Sequence, residues 1–275
     1  MMERTETNGF TLYFDREERE AAEIIEKACR NSIETIANTW GLNSPQDCRV
    51  YVLNSWPRCV FLGAPLSYQF ILAITIPLWY SEFKQRWKYA GGWAQRYGDR
   101  QVVGIKTPYL IENTPESMGE DIFLKNDSTK EKVTSISCHE LTHAFTSHLS
   151  LPAWLHEGLA MVTVDQCLKK TTVKRETLEI LKDTLDEVKP SEKIDLRSQN
   201  KEDIITLYIR GYWLTRFLLE SQPDLIKSLL GEAYSNQELE SKISAVCGID
   251  PEMFWKEIEG RVLEHFEQYE TDKSV

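Results

Sequence analysis

Residues 139–143 read His-Glu-Leu-Thr-His. An α-helix advances 100° per residue, so positions i and i+4 lie one turn apart on the same face. A helix through this motif turns both imidazoles toward one point, where they can bind a single ion. The spacing therefore predicts a helix, and the surrounding pattern extends it from Lys130 to Leu149. Glu140 sits about 100° around from His139 and reaches a water beside the ion without being a ligand. Such a helix is a zinc site with one coordination position left open.

Zinc needs a third protein ligand, and the segment Pro152-Ala-Trp-Leu-His-Glu-Gly-Leu-Ala160 offers Glu157, 14 residues after His143. That separation lets the first helix end, turn at Ser150–Pro152, and return as a second helix from Ala153 to about Gln166. Gly158 allows close helix approach, and Trp154, Leu155 and Leu159 are expected to pack the pair. A carboxylate at 157 completes a His2Glu set, as found in catalytic zinc sites. The competing donors fit less well. A third histidine in the spacing HExxHxxGxxH would fall at position 149, which is Leu149; His148 is one residue short. His156 points about 100° away from Glu157. Cys138 is expected to face into packing.

Strands are predicted only in the first half of the chain, at Cys48–Leu53 and Gln101–Lys106, and they are expected to share one sheet. A helix is expected over Asp15–Trp40, with Asp15 and Glu18 as a capping box and Gly41 as its stop. Gly91–Gly98 reads as a glycine- and aromatic-rich turn. After residue 166 only helices are expected, at Val173–Val188, Glu202–Glu220, Pro223–Glu232, Glu238–Val246 and Pro251–Tyr269, with Lys189–Asn200 as a polar joining loop. The class is α+β. A core over residues 1–190, with an apolar insertion near 56–90, precedes a helical subdomain over 191–275.

Val60–Tyr80 contains no charged residue. Its length approaches a membrane span, but Pro65 and Pro77 interrupt it and Ser67, Gln69 and Thr75 dilute it. A single span would also put the two flanking strands on opposite sides of a bilayer. A buried, protein-packed insertion is the expectation. Trp56, Trp79, Trp87 and Trp93 beside Arg58, Lys84, Arg86 and Lys88 also suit a membrane surface or an apolar ligand groove.

The chain carries 43 acidic against 32 basic residues, a net charge of −11. Nucleic acid is not an expected partner, because phosphate backbones are bound by clustered Lys and Arg. The six cysteines contain no Cys-x-x-Cys pair, and Met1–Phe10 lacks an apolar leader. A reducing, cytoplasmic compartment is expected, with peripheral membrane association through 60–80 as the alternative to a freely diffusing chain.

HELTH followed by PAWLHEGLA resembles the gluzincins, the peptidase MA-like superfamily, which pair HExxH with a downstream WLxEGxA segment. Tyr208-Ile-Arg-Gly211 and the apolar run Trp213–Leu219 are similar to the YxxG helix of aminopeptidase-N-like members. The resemblance spans about residues 131–220. It implies a zincin-like catalytic core, one zinc per chain held by His139, His143 and Glu157, a peptide or protein substrate, Glu140 as general base and Tyr208 as oxyanion donor. It also implies an edge strand that aligns substrate, for which Gln101–Lys106 is the candidate. Two departures stand out: Met161 occupies a position that is often acidic, with Asp165 one turn further on, and no GxMEN-type exopeptidase loop is found. The alternative to a peptidase is a zinc-stabilised scaffold without turnover, although a purely structural site has no use for Glu140.

Overall fold

The computed structural model describes residues 2–114, 119–183 and 201–273. The chain is α+β. Its strands are β1 (Met2–Glu6), β2 (Thr11–Asp15), β3 (Asp47–Leu53), β4 (Gly92–Tyr97) and β5 (Arg100–Lys106). Helices α1 (Arg19–Trp40), α2 (Trp56–Phe61), α3 (Leu66–Tyr89), α4 (Pro108–Glu112) and α5 (Gly119–Ile122) are interleaved with them or follow directly. Next come α6 (Thr129–Thr146), α7 (Ala153–Leu168), α8 (Thr177–Asp183) and α9 (Lys201–Ser221), then α10 (Pro223–Leu229), α11 (Asn236–Cys247) and α12 (Phe254–Lys273). The joining loop expected at Lys189–Asn200 lies outside the described residues, as does the end of the helix expected to reach Val188.

The sheet has the order β1-β2-β3-β5-β4. The two expected strands do pair: β3 and β5 run parallel from Asp47↔Arg100 to Leu53↔Lys106. Their near-continuous apolar sequence follows from burial on both faces, which parallel strands require. β2 adds in parallel to β3, and β1 and β4 close the two edges in antiparallel fashion.

Two local expectations are corrected by this sheet. Gly91–Gly98 is not a turn region but contains strand β4. The register Tyr97↔Arg100 leaves only Gly98 and Asp99 as the hairpin turn, with Gly98 at φ +63°. β5 is consequently an interior strand, flanked by β3 and β4, and the edge on this side is β4. The expected capping box at Asp15 is also absent. The Asp15 carboxylate makes no helix cap; it accepts hydrogen bonds from Asn54 and Arg58. Gly41 does stop α1, in the left-handed conformation at φ +72°.

Two compact units are formed by the described residues. The first, within Met1–Ser117, Lys125–Ser147 and Thr163–Lys170, holds the sheet, α1, α3 and α6. One sheet face carries Tyr51, Leu53 and Val102, against which Phe83 and Trp87 of α3 pack. Helix α6 packs on α1 and on strands β4 and β5. Two hydrogen bonds hold the last turns of α7 in this unit. The Trp40 indole donates to Thr163 Oγ1 at 2.7 Å, and the Cys138 thiol donates to the Thr163 carbonyl at 3.4 Å.

Helix α3 departs from the expected buried insertion. Its residues Leu66, Phe70, Ile74 and Leu78 are 65–85% exposed, while Trp79, Phe83 and Trp87 are half-buried. No helix among the described residues is long and apolar enough to cross a membrane.

The second unit lies within Met118–Leu124, His148–Val162 and Thr171–Val275. There α7 and α9 touch backbone to backbone: a Cβ on Gly158 would meet the Gly211 carbonyl, and one on Gly211 would meet the Trp154 carbonyl. Helices α9 and α12 are joined by Arg210 and Glu259, 2.8 Å apart and both buried. Burial pushes the Glu259 carboxyl up to about 7, with Arg210 opposing the rise. A carboxyl raised in the folded state keeps its proton to higher pH than the unfolded chain does. Its stabilising contribution is full below about pH 4.5 and lost as pH rises through about 7. Wild type is therefore expected to lose more stability between about pH 5 and pH 8 than Glu259→Gln, which has nothing to titrate. Urea midpoints at the two pH values measure this, and equal losses would remove Glu259 as the source.

Candidate metal centre

Helix α6 is buried nearly all round. Val133, Ser137, Cys138, Leu141, Thr142, Ala144, Phe145 and Thr146 are each under 3% exposed. Past its first two turns, the half-open positions are Ile136, His139, Glu140 and His143. These fall at i, i+3, i+4 and i+7, which is one helical stripe. Two imidazoles and a carboxylate thus occupy the side of α6 that remains open while its other sides are sealed by apolar packing. The helix begins on a Ser128 cap, whose side chain accepts from the Glu131 N–H at 3.2 Å.

His139 and His143 meet as their spacing demands. Their Nε2 atoms are 3.0 Å apart and their ring planes lie at 89°. Glu157 of α7 joins them, and one donor atom from each of the three lies within 4.8 Å of the others. Glu157 is 7% exposed, while both histidines are half-buried. Among the described residues this is the one group of three or more His, Cys, Asp or Glu side chains that converges in this way.

The donor set fits a divalent ion. Zinc–nitrogen bonds of about 2.0–2.1 Å at a tetrahedral angle put two imidazole nitrogens about 3.3 Å apart, close to the spacing seen. Two imidazoles and one carboxylate also suit a borderline-soft ion better than the all-oxygen sets preferred by calcium or magnesium. The residues present are thus able to hold a metal ion.

The other candidates take different positions. His148 is exposed, beyond the end of α6, and His156 is half-buried beside Glu157 but outside the converging set. Cys138 is fully buried, as expected from packing, and burial holds its thiol in the protonated form. Tyr208 is half-buried on α9, one turn before the Gly211 contact with α7. Tyr212, one turn beyond Tyr208, is fully buried; its hydroxyl accepts from Arg216 at 2.8 Å and its ring packs on Trp213 at 4.9 Å.

One participant is missing from the sequence-level reading. Gly92 on β4 is so close to α6 that an added Cβ would lie 2.6 Å from Glu140 Cγ and 2.8 Å from Ile136 Cγ2. Only glycine lets the edge strand approach the Glu140 side chain this closely without moving it. The glycine pair at 91–92 carried that signal, but on a segment expected to be a turn.

No family model matches the chain, and no curated protein is significantly similar to it.

If the three residues act as one ligand set, wild type should carry one divalent ion per chain. Each of His139→Ala, His143→Ala and Glu157→Ala should lose it on dialysis. Metal content of the purified proteins is the measurement, and full retention in Glu157→Ala would take that residue out of the set.

Proposed function

We propose that this chain is a zinc-dependent metallopeptidase of the gluzincin type, built on a zincin-like core. The observation that carries the reading is the convergence of His139, His143 and Glu157 beside Glu140 on the open stripe of α6. A scaffold would need the three ligands; it would not need a carboxylate on the same stripe held against an edge strand.

Zinc held by these donors supplies Lewis acidity, which acidifies water and polarises a carbonyl. Glu140 takes a proton from the attacking water and passes it to the leaving amine. Its position against Gly92 fixes where that transfer occurs relative to β4. Among the described residues the outer edge of β4 pairs with no other strand, so an extended peptide can add there as a further strand, bound by main-chain hydrogen bonds. Peptide or protein is accordingly the proposed substrate, and β4 replaces β5 as the aligning strand. Tyr208 is the proposed donor to the developing oxyanion. Tyr212 is assigned to packing, in keeping with its buried ring and its bond to Arg216.

Glu140→Gln tests the reading most directly. It should retain metal and fold yet lose hydrolysis of a peptide library, since an amide cannot accept the proton. Wild type with metal bound that cleaves nothing in a broad library would favour the scaffold.

Removing one oxyanion donor typically costs about 100- to 1000-fold in turnover. Tyr208→Phe should lower kcat by that order with metal content unchanged. Tyr212→Phe should cost much less on the same substrate at the same pH. A large kcat loss in Tyr212→Phe alone would reverse the assignment of the two tyrosines.

A further inference from the structure

Helix α3 is apolar on both sides. Its inner side is engaged: Phe83 and Trp87 pack on the sheet, and the buried Lys106 ammonium donates to the Trp87 carbonyl at 2.5 Å while lying 4.5 Å from the Trp87 ring centroid. The outer side is open. Leu66, Phe70, Ile71, Ile74 and Leu78 are 57–85% exposed. At 100° per residue they fall within an arc of about 140°. An apolar helix normally buries its whole circumference, so this outer arc calls for an occupant.

Three observations identify that occupant. First, the arc is graded along its length. Residues 59–81 carry no charge, and the exposed Lys84 and Lys88 then fall in the same arc at the C-terminal end. Long lysine stems can lie along an apolar surface while their ammonium groups remain in water. Second, the charge is locally inverted. The last turns of α3 hold Lys84, Arg86 and Lys88 against Glu82 alone, within a chain of net charge −11. That favours an anionic surface over a neutral one. Third, the patch is large: the five apolar side chains expose on the order of 600 Å², the upper end for the largest patch on an ordinary monomer. With Pro77 inside it and too little apolar length to cross, α3 suits lying in the interfacial plane, not spanning.

We propose that α3 docks this protein on an anionic lipid bilayer, with Leu66, Phe70, Ile71, Ile74 and Leu78 entering the headgroup–acyl boundary and Lys84 and Lys88 meeting the lipid phosphates. The inference is independent of the metal centre and of peptidase activity.

Flotation of the full chain with phosphatidylcholine vesicles, with and without about one-third phosphatidylserine, tests it. Binding is expected to the anionic vesicles and to fall with salt. Lys84→Gln with Lys88→Gln should weaken it roughly 25-fold, about fivefold per lysine. Phe70→Ser with Ile74→Ser should weaken it at least tenfold through lost apolar burial. Both pairs are exposed, so thermal melts and metal content should stay at wild-type values. Wild type that fails to float with anionic vesicles would overturn the proposal, as would unchanged flotation of Phe70→Ser with Ile74→Ser. A wild-type dimer in analytical ultracentrifugation that the same serine pair dissociates would overturn it too, assigning the face to a second copy.

Discussion

Every side of α6 but one is spoken for. α1 packs on one flank and β4 with β5 on another, so that residues as polar as Ser137, Thr142 and Thr146 are fully buried. The two threonine hydroxyls are accommodated within the helix itself: Thr142 and Thr146 donate to the carbonyls four residues back, at 2.8 Å each. A helix clamped in this way cannot rotate to hide a wrong residue. Whatever lies on the remaining stripe is held at a fixed angle, and that stripe carries His139, Glu140 and His143. The rigidity a metal site needs in its ligands thus comes from packing on the far sides of the same helix.

The second helix of the site is governed by small residues. Gly158 and Gly211 let α7 and α9 approach until backbone meets backbone, a distance at which no side chain fits. Glu157 is the neighbour of Gly158, so the close approach fixes the segment that presents the carboxylate. Burying a carboxyl is costly unless it is protonated, paired or coordinates a metal, and Glu157 is 7% exposed. The same economy governs Arg210 and Glu259, where a buried cation and carboxyl share one contact between α9 and α12.

Much of the site was legible because helical spacing converts sequence distance directly into spatial distance. His139 and His143 met as predicted, and a 14-residue return placed Glu157 beside them. Strands β3 and β5 were legible from their apolar runs, but their order in the sheet was not. Alternation says that a strand exists, not which neighbours it takes, so β5 passed for an edge until β4 was found outside it. β4 itself was obscured by Gly91 and Gly92, residues that punctuate loops yet serve here to admit the strand against Glu140. β1 is polar after Met2, and β2 offers only Leu12, Tyr13 and Phe14, a run too short to read as a strand. The cap at Asp15 failed for a non-local reason: its carboxylate is taken by Asn54 and Arg58, some forty residues away. A working capping box does occur, at Ser235 and Glu238, where both partners lie within one turn of the helix they cap.

Helix α3 marks a different limit of sequence reading. An uncharged run of this length says that apolar surface must be covered, and a folded core is the ordinary cover. The sheet has one free face to offer, however, and that face is filled by the inner residues of α3 together with Tyr13, Tyr51 and Trp93. No periodicity in the run separates the side so covered from the side left open, because both are built of the same residue types. The separation comes from where the helix is pinned. Lys106, buried in a central strand, reaches the Trp87 carbonyl and ring and holds the C-terminal turns of α3 to the sheet. The opposite arc therefore cannot be turned inward without breaking a buried, charge-assisted hydrogen bond, a loss of about 1.5–3 kcal/mol before any repacking. The exposed face of α3 is in this sense fixed by the strand that also neighbours β4.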